Sequence, residues 1–285
     1  MNMPNDGEQT VRLQAGNWQA DILPGFGANL IRLNVAGQEI LRTPPDLATL
    51  AASPFLYGTP VLMPPNRTAD GRFTFAGQQW ELPLTEPARG NHIHGFIYRA
   101  PYRIRRADND CLVCDYTYPG DPYPFIFTIT MTFTLNTAGL RQEIAIRNDG
   151  QGPMPVVLAL HTTFAKPASF RVPIGQRWET DSRFIPTGRM LALTEQEQQY
   201  AATCILENQV ISGFYTAAGH AADIGDYRYA VSECFDQWVL FNGGQQDYLC
   251  VEPQIGPVNS LNRPGSYPVL AAGETFTAWT AISRR

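Results

Sequence analysis

Apolar and polar residues alternate through much of this chain with a period of two. In residues 128–135, Ile129, Met131, Phe133 and Leu135 interleave with threonines, the pattern of a strand with one buried face. After Asn136-Thr137-Ala138-Gly139 the alternation resumes over 140–147. Leu140, Ile144 and Ile146 fall on one face there, and Arg141, Glu143 and Arg147 on the other. The two runs predict a hairpin. A second hairpin is predicted over 71–82, where Phe73 and Phe75 precede Ala76-Gly77 and Trp80 and Leu82 follow it. Only 191–201, rich in Glu and Gln, invites a helix. It follows the turn Pro186-Thr187-Gly188 and lacks a wide apolar stripe, so a loop or one short helix is expected.

Strand after strand without amphipathic helices between them implies antiparallel sheets packed face to face. The fold class expected is all-β, a large antiparallel β-sandwich. No internal repeat, low-complexity tract or long linker divides the chain, so residues 1–285 are expected to form a single domain. A length of 285 residues is within reach of one large all-β unit. The 24 Gly and 23 Pro recur along the whole chain, which suits many turns and argues against a disordered tail.

A formal charge of −5, with 20 Arg but only Lys166 among the lysines, leaves no basic stripe for a nucleic-acid backbone. Nucleic acid is therefore not expected as a partner. The opening MNMPNDGEQT lacks the charged and apolar regions of a secretory signal. No apolar run reaches the roughly 18 residues that span a bilayer, so no membrane association and a cytoplasmic location are expected. Cys111 and Cys114 form a C-x-x-C in a strand-like run, where residues three apart point to opposite faces. They are read as structural thiols rather than as a metal or redox pair.

The chain has four histidines, His92, His94, His161 and His220. In Asn91-His92-Ile93-His94-Gly95, an extended backbone would place both imidazoles on the same side of a strand. They could be metal ligands, but GFIYRAPYR downstream supplies neither a Glu nor a further His; they could also be satisfied structural groups. His161 ends the apolar run 156–160, and His220 sits in a Gly/Ala loop as an exposed bystander. Glu252, in LCVEPQ, closes an apolar strand ahead of a Pro-containing loop, a location where desolvation can tune a carboxylate. It could equally cap that loop. Asn66 and Arg67, in PPNR, follow an apolar stretch, and the planar Arg fork could hold hydroxyl groups of a ligand or simply lie on the surface.

Four segments taken in order, PPNRTADGRFTFAGQQWEL, NHIHG, MPVVLALHTTF and CVEPQIGPVNSLNRPG, resemble the galactose mutarotase and aldose 1-epimerase family, and the resemblance spans most of the chain. It implies a galactose mutarotase-like supersandwich with an open sugar-binding cleft. Position by position, His161 resembles the family's general acid and Glu252 its general base. Arg67 and His94 resemble its substrate-positioning groups, with His92 and Asn66 beside them. The family's sugar-contacting Asp has no counterpart, since Ile211-Ser212-Gly213-Phe214 occupies that place.

The resemblance implies an isomerase of carbohydrate metabolism that interconverts the α and β anomers of a small-molecule sugar. A base takes the anomeric hydroxyl proton and an acid protonates the ring oxygen. The ring opens, the aldehyde rotates and the reverse transfers close it, so no cofactor and no metal are expected. Glu252 is expected ionised and His161 protonated near neutrality. A hexose-6-phosphate 1-epimerase would need further cations on the phosphate, and Arg72, Arg89 and Arg99 lie near the motifs. A non-catalytic sugar-binding protein is the alternative from another class. A glycosidase would need a second carboxylate beside the first.

Overall fold

The structure is a computed structural model that describes residues 10–285; the reading of the opening residues as lacking a signal falls largely outside them. Two eight-stranded antiparallel sheets dominate it. One runs through Arg103–Ala107, Cys111–Pro119, Ile126–Asn136, Gly139–Asn148, Thr275–Arg284, Tyr227–Val231, Ala221–Ile224 and Phe170–Arg171. The other runs through Pro186–Leu191, Ile174–Thr180, Ser212–Ala217, Gln237–Phe241, Tyr248–Gln254, Ala159–Leu160 and Val61–Leu62, with Thr163–Ala165 also paired to Tyr248–Gln254. A four-stranded antiparallel sheet from the N-terminal part, Val11–Ala15 to Gln38–Glu39, adds a further layer.

The predicted hairpins are present. Ile126–Asn136 and Gly139–Asn148 pair from Asn136↔Gly139 to Phe127↔Asn148, and strict alternation of buried and partly exposed positions along Ile126–Asn136 matches the sequence pattern. Arg72–Phe75 pairs with Gln78–Glu81 across the Ala76-Gly77 turn. The expected short helix is Glu195–Ala202, opened by a capping box in which Thr194 and Glu197 satisfy each other's backbone donors. Cys111 and Cys114 are free thiols on a strand. Among the described residues no helix is long and apolar enough to cross a membrane.

One hydrophobic cluster runs continuously through both large sheets. Tyr229, from the first sheet, packs against Phe164 and Trp238 of the second, and its hydroxyl lies 2.8 Å from Thr162 Oγ1. Every residue of Tyr248–Gln254 is buried. A strand covered on both faces loses the alternation that marks a half-buried one, which is why LCVEPQ reads as an apolar run carrying one carboxylate.

Candidate active site

Register across the second sheet sets the floor of the site. Phe214 pairs with Val239, and Val239 with Glu252. In the next row Ser212 pairs with Phe241, and Phe241 with Cys250. Residues two apart on a strand share a face, so all six side chains project from one side. A cavity of about 650 Å³ lies over this grid, within the size range of small-molecule sites. Of the six, Cys250 does not reach the cavity surface; the remaining wall comes from 52–56, Asn66, Arg67, Arg89, Ile93, His94, Tyr98, Arg99, His161, Phe184, Gly213 and Leu240.

His161 and Glu252 meet at the base of the cavity, with Nε2 3.3 Å from Oε1. Only 6% of His161 and 3% of Glu252 is exposed. Desolvation raises the Glu252 carboxyl to about 8, against the opposing pull of Arg67. The same burial lowers His161 to about 4. The arrangement therefore differs from the sequence expectation of an ionised Glu and a protonated His. Near neutrality burial favours the neutral form of both, and the pair carries one proton, held on the carboxyl side.

The NHIHG segment also departs from its extended reading. The strand Asn91–Ile93 ends before His94, which takes a left-handed φ of 66° and is followed by Gly95 at 67°. Gly95 is required there, because a Cβ would stand 2.2 Å from the Met63 carbonyl oxygen. The two imidazoles consequently part company. His94 enters the cavity, its ring tilted at 47° against Phe55 with 4.3 Å between centroids and edge-on to His161 at 5.3 Å. Burial, followed by His161 and Arg67, pushes it well below its ordinary value, so it is a neutral ring. His92 instead is fully buried, its Nδ1 2.8 Å from the Pro83 carbonyl and its ring stacked on Phe96. It does not line the cavity, and its surroundings are those of a structural histidine.

Arg67 reaches the cavity with its fork held from behind. Nε and Nη2 donate to Glu86 Oε2 and Oε1 at 2.8 and 2.9 Å, and Nη1 donates to Asn66 Oδ1 at 3.3 Å. Asn66 adopts a φ of 48°. Glu86 also accepts from Asn91 Nδ2 at 2.9 Å and Arg89 Nη1 at 3.1 Å. Burial alone would raise the Glu86 carboxyl, but the donors from Arg67 and Asn91 hold it below its ordinary value. Arg67 and Arg89 both lie over the Phe184 ring, at 4.9 and 4.8 Å.

Of the other arginines singled out, Arg89 and Arg99 line the cavity. Arg72 pairs with Glu81 in an exposed hairpin outside it. Arg99 donates to the Ala51 carbonyl at 2.7 Å, and its Nε has no partner. His220 also stays away from the site.

Sequence reasoning missed the helix Leu47–Ala52 and the turn Pro54–Leu56, which bring Phe55 over the histidines. Its one signal was Asp46, whose side chain caps the helix at Thr49 N. Glu86 was missed as well, since nothing local marks a loop carboxylate as the partner of an Arg nineteen residues earlier. Among the aromatic side chains near the motifs, Tyr98 lines the cavity. Phe164 and Trp238 belong to the core, and Trp80 packs beside Phe125 elsewhere. Ser212 and Gly213 stand on the cavity wall where the family's Asp was expected.

The chain belongs to the aldose 1-epimerase family, whose profile matches residues 9–283. It is 26% identical over 285 residues to the uncharacterized protein YihR of Escherichia coli strain K12, covering 93% of this chain and 90% of that one. The crystal structure of a galactose mutarotase-like protein from Clostridium acetobutylicum superposes with a TM-score of 0.88 at 24% identity, over 96% of this chain and 95% of the other. That of galactose 1-epimerase from Lactobacillus acidophilus gives 0.81 at 16% identity, over 100% and 97%. The supersandwich fold expected from the sequence motifs is the fold of these proteins.

Proposed function

We propose that this protein interconverts the α and β anomers of an aldose through acid–base chemistry at His161 and Glu252. The observation that carries the reading is the 3.3 Å contact between these two buried groups at the base of a cavity of sugar size. Ring opening needs one group that takes a proton from the anomeric hydroxyl and one that gives a proton to the ring oxygen. A pair that shares one proton supplies both. The ionised Glu252 with protonated His161 differs from the resting form only by transfer of that proton across the contact, and Arg67 beside the carboxylate favours its ionised state. Arg67, Asn66 and the neutral His94 would hold hydroxyls and the ring oxygen, gaining strength as charge develops. Phe55, Tyr98 and Phe184 offer flat faces for the apolar side of a sugar.

Retention of the acid–base pair supports catalysis over a purely sugar-binding role. Glu252, the one carboxylate lining the cavity among the described residues, weighs against glycosidase chemistry. Arg89 and Arg99 favour one further reading, an anionic aldose such as a hexose 6-phosphate. Arg99 has no carboxylate partner among the described residues and would offer a charge-assisted contact. A cytoplasmic location fits either reading.

The test follows the optical rotation of freshly dissolved α-glucose and α-galactose, and anomer exchange of hexose 6-phosphates by NMR, in wild type and Glu252→Gln. Acceleration lost on substitution supports the epimerase reading, and the preferred sugar separates the neutral from the anionic substrate. Sugar binding without acceleration would overturn it in favour of the binding protein.

A further inference from the structure

The two-residue period that turns Glu252 toward the cavity also places Cys250, a residue the proposed chemistry does not use, on the same face of the sheet, behind the cavity wall and beside Glu252. The thiol is fully buried and forms no disulfide. Its sulfur lies 3.4 Å from Thr163 Oγ1. One ligating atom from each of His161, Cys250 and Glu252 lies within 4.8 Å of the other two, and the His161 to Glu252 separation is already 3.3 Å.

A tetrahedral zinc ion with bonds of about 2.0 to 2.3 Å places neighbouring donors about 3.3 to 3.6 Å apart. The nitrogen and oxygen meet that spacing as they stand. The sulfur has at most about 1.2 to 1.5 Å to close, which a χ1 adjustment with a small backbone shift can supply. Nitrogen, thiolate and carboxylate donors with a fourth position facing a cavity match the composition of open zinc sites. The thiolate favours zinc and its soft congeners over calcium or magnesium.

We infer that His161, Cys250 and Glu252 form a binding site for a thiophilic divalent cation of the zinc class, and that its occupation silences the epimerase. The inhibitory half rests on the roles proposed above; the binding half does not. On binding, the thiol gives its proton to solvent, as does the carboxyl if it carries one. The sulfur, the imidazole lone pair and a carboxylate lone pair then bond to the cation. Neither His161 nor Glu252 can exchange a proton with a sugar in that state, so cation and substrate exclude one another.

The probe is cobalt(II), which reports a thiolate ligand by a near-ultraviolet charge-transfer band. One equivalent per chain should produce the band in wild type, and zinc should displace it. Cys250→Ala, which keeps the other four cysteines, should lack the band, and Cys250→Ser serves if the alanine variant does not fold. Stoichiometric zinc should slow anomer exchange at least tenfold in wild type, reversibly with a chelator, and leave Cys250→Ala unaffected. Absence of the band in wild type, or its persistence in both Cys250 variants, overturns the proposal. A Cys250-dependent band in a protein that accelerates exchange of no sugar upholds the cation site and sinks the epimerase reading instead.

Discussion

Arg67 and Glu86 form a two-point ion pair, 2.8 and 2.9 Å long, between side chains that are each about 15% exposed or less. A pair at this depth is screened less than a surface one, and its two parallel hydrogen bonds fix the plane of the guanidinium as well as its position. On the proposed chemistry Glu86 acts as a positioning residue for Arg67. Glu86→Gln keeps the shape but loses the second acceptor oxygen and the charge. The expected result is a fall in kcat/KM of about tenfold, within the up to hundredfold cost of an ångström-scale misplacement. Restoration by Glu86→Asp in steady-state kinetics would be partial, since the shorter side chain cannot hold both contacts.

The rate should follow a bell-shaped pH profile. The active pair carries one proton, so activity falls as the pair gains a second proton near the low limit set by His161, about 4. It falls again as the pair loses its proton near the high limit set by Glu252, about 8. Anomer exchange measured from pH 3.5 to 9.5 checks this, and a plateau reaching past pH 9 would contradict the buried carboxyl. Removing either group should cost about 10² to 10⁴ in rate.

Stability carries the same signature. Folded Glu252 releases its proton near 8, whereas the unfolded side chain does so near 4.5. Between those values the unfolded state binds fewer protons, so the carboxyl makes stability fall as pH rises. His161 acts oppositely, but only between about 4 and 6.5. From 6.5 to 8 the carboxyl acts without that opposition. Wild type should therefore lose up to about 2 kcal/mol of stability across that interval, at about 1.4 kcal/mol for each step of one in pH. Glu252→Gln should not. Urea unfolding at pH 6.5 and 8 makes the comparison.

The two histidines of NHIHG should respond in opposite ways. His94→Ala removes a group from the cavity and should lower kcat about 10² to 10³-fold, the usual loss for a donor aimed at developing charge, with Tm close to wild type. His92→Ala leaves a hole beside Phe96 and strands the Pro83 carbonyl. It should cost about 1 to 3 kcal/mol of stability, with little change in kcat of the folded protein. Calorimetry alongside kinetics separates them.

The strand content, both hairpins and the pairing of His161 with Glu252 were legible because each rests on a local pattern or a family motif. What was not legible depends on groups distant in the chain. The period-two rule put His92 and His94 together only while the backbone stayed extended, and the close approach of Gly95 to Met63 ended that. Ionisation of Glu252 followed from its type, whereas its raised proton affinity comes from burial under another sheet. Phe55 and Glu86 carry no signal of their own, since their importance lies in what lies opposite them.

The row Phe214, Val239, Glu252 makes the site a consequence of strand pairing. Sliding Tyr248–Gln254 by one position would bury Glu252 beneath the sheet and present Val251 or Pro253 to the cavity. Deleting Tyr248 or Leu249, the two residues of that strand outside the motif, would thus turn Glu252 from the cavity and abolish the proposed chemistry although every motif residue survives. A residue deleted from the turn at 243–246 changes the length of the link and leaves the carboxylate facing its partner. In this molecule the hydrogen-bond ladder is the component that aims Glu252 at His161.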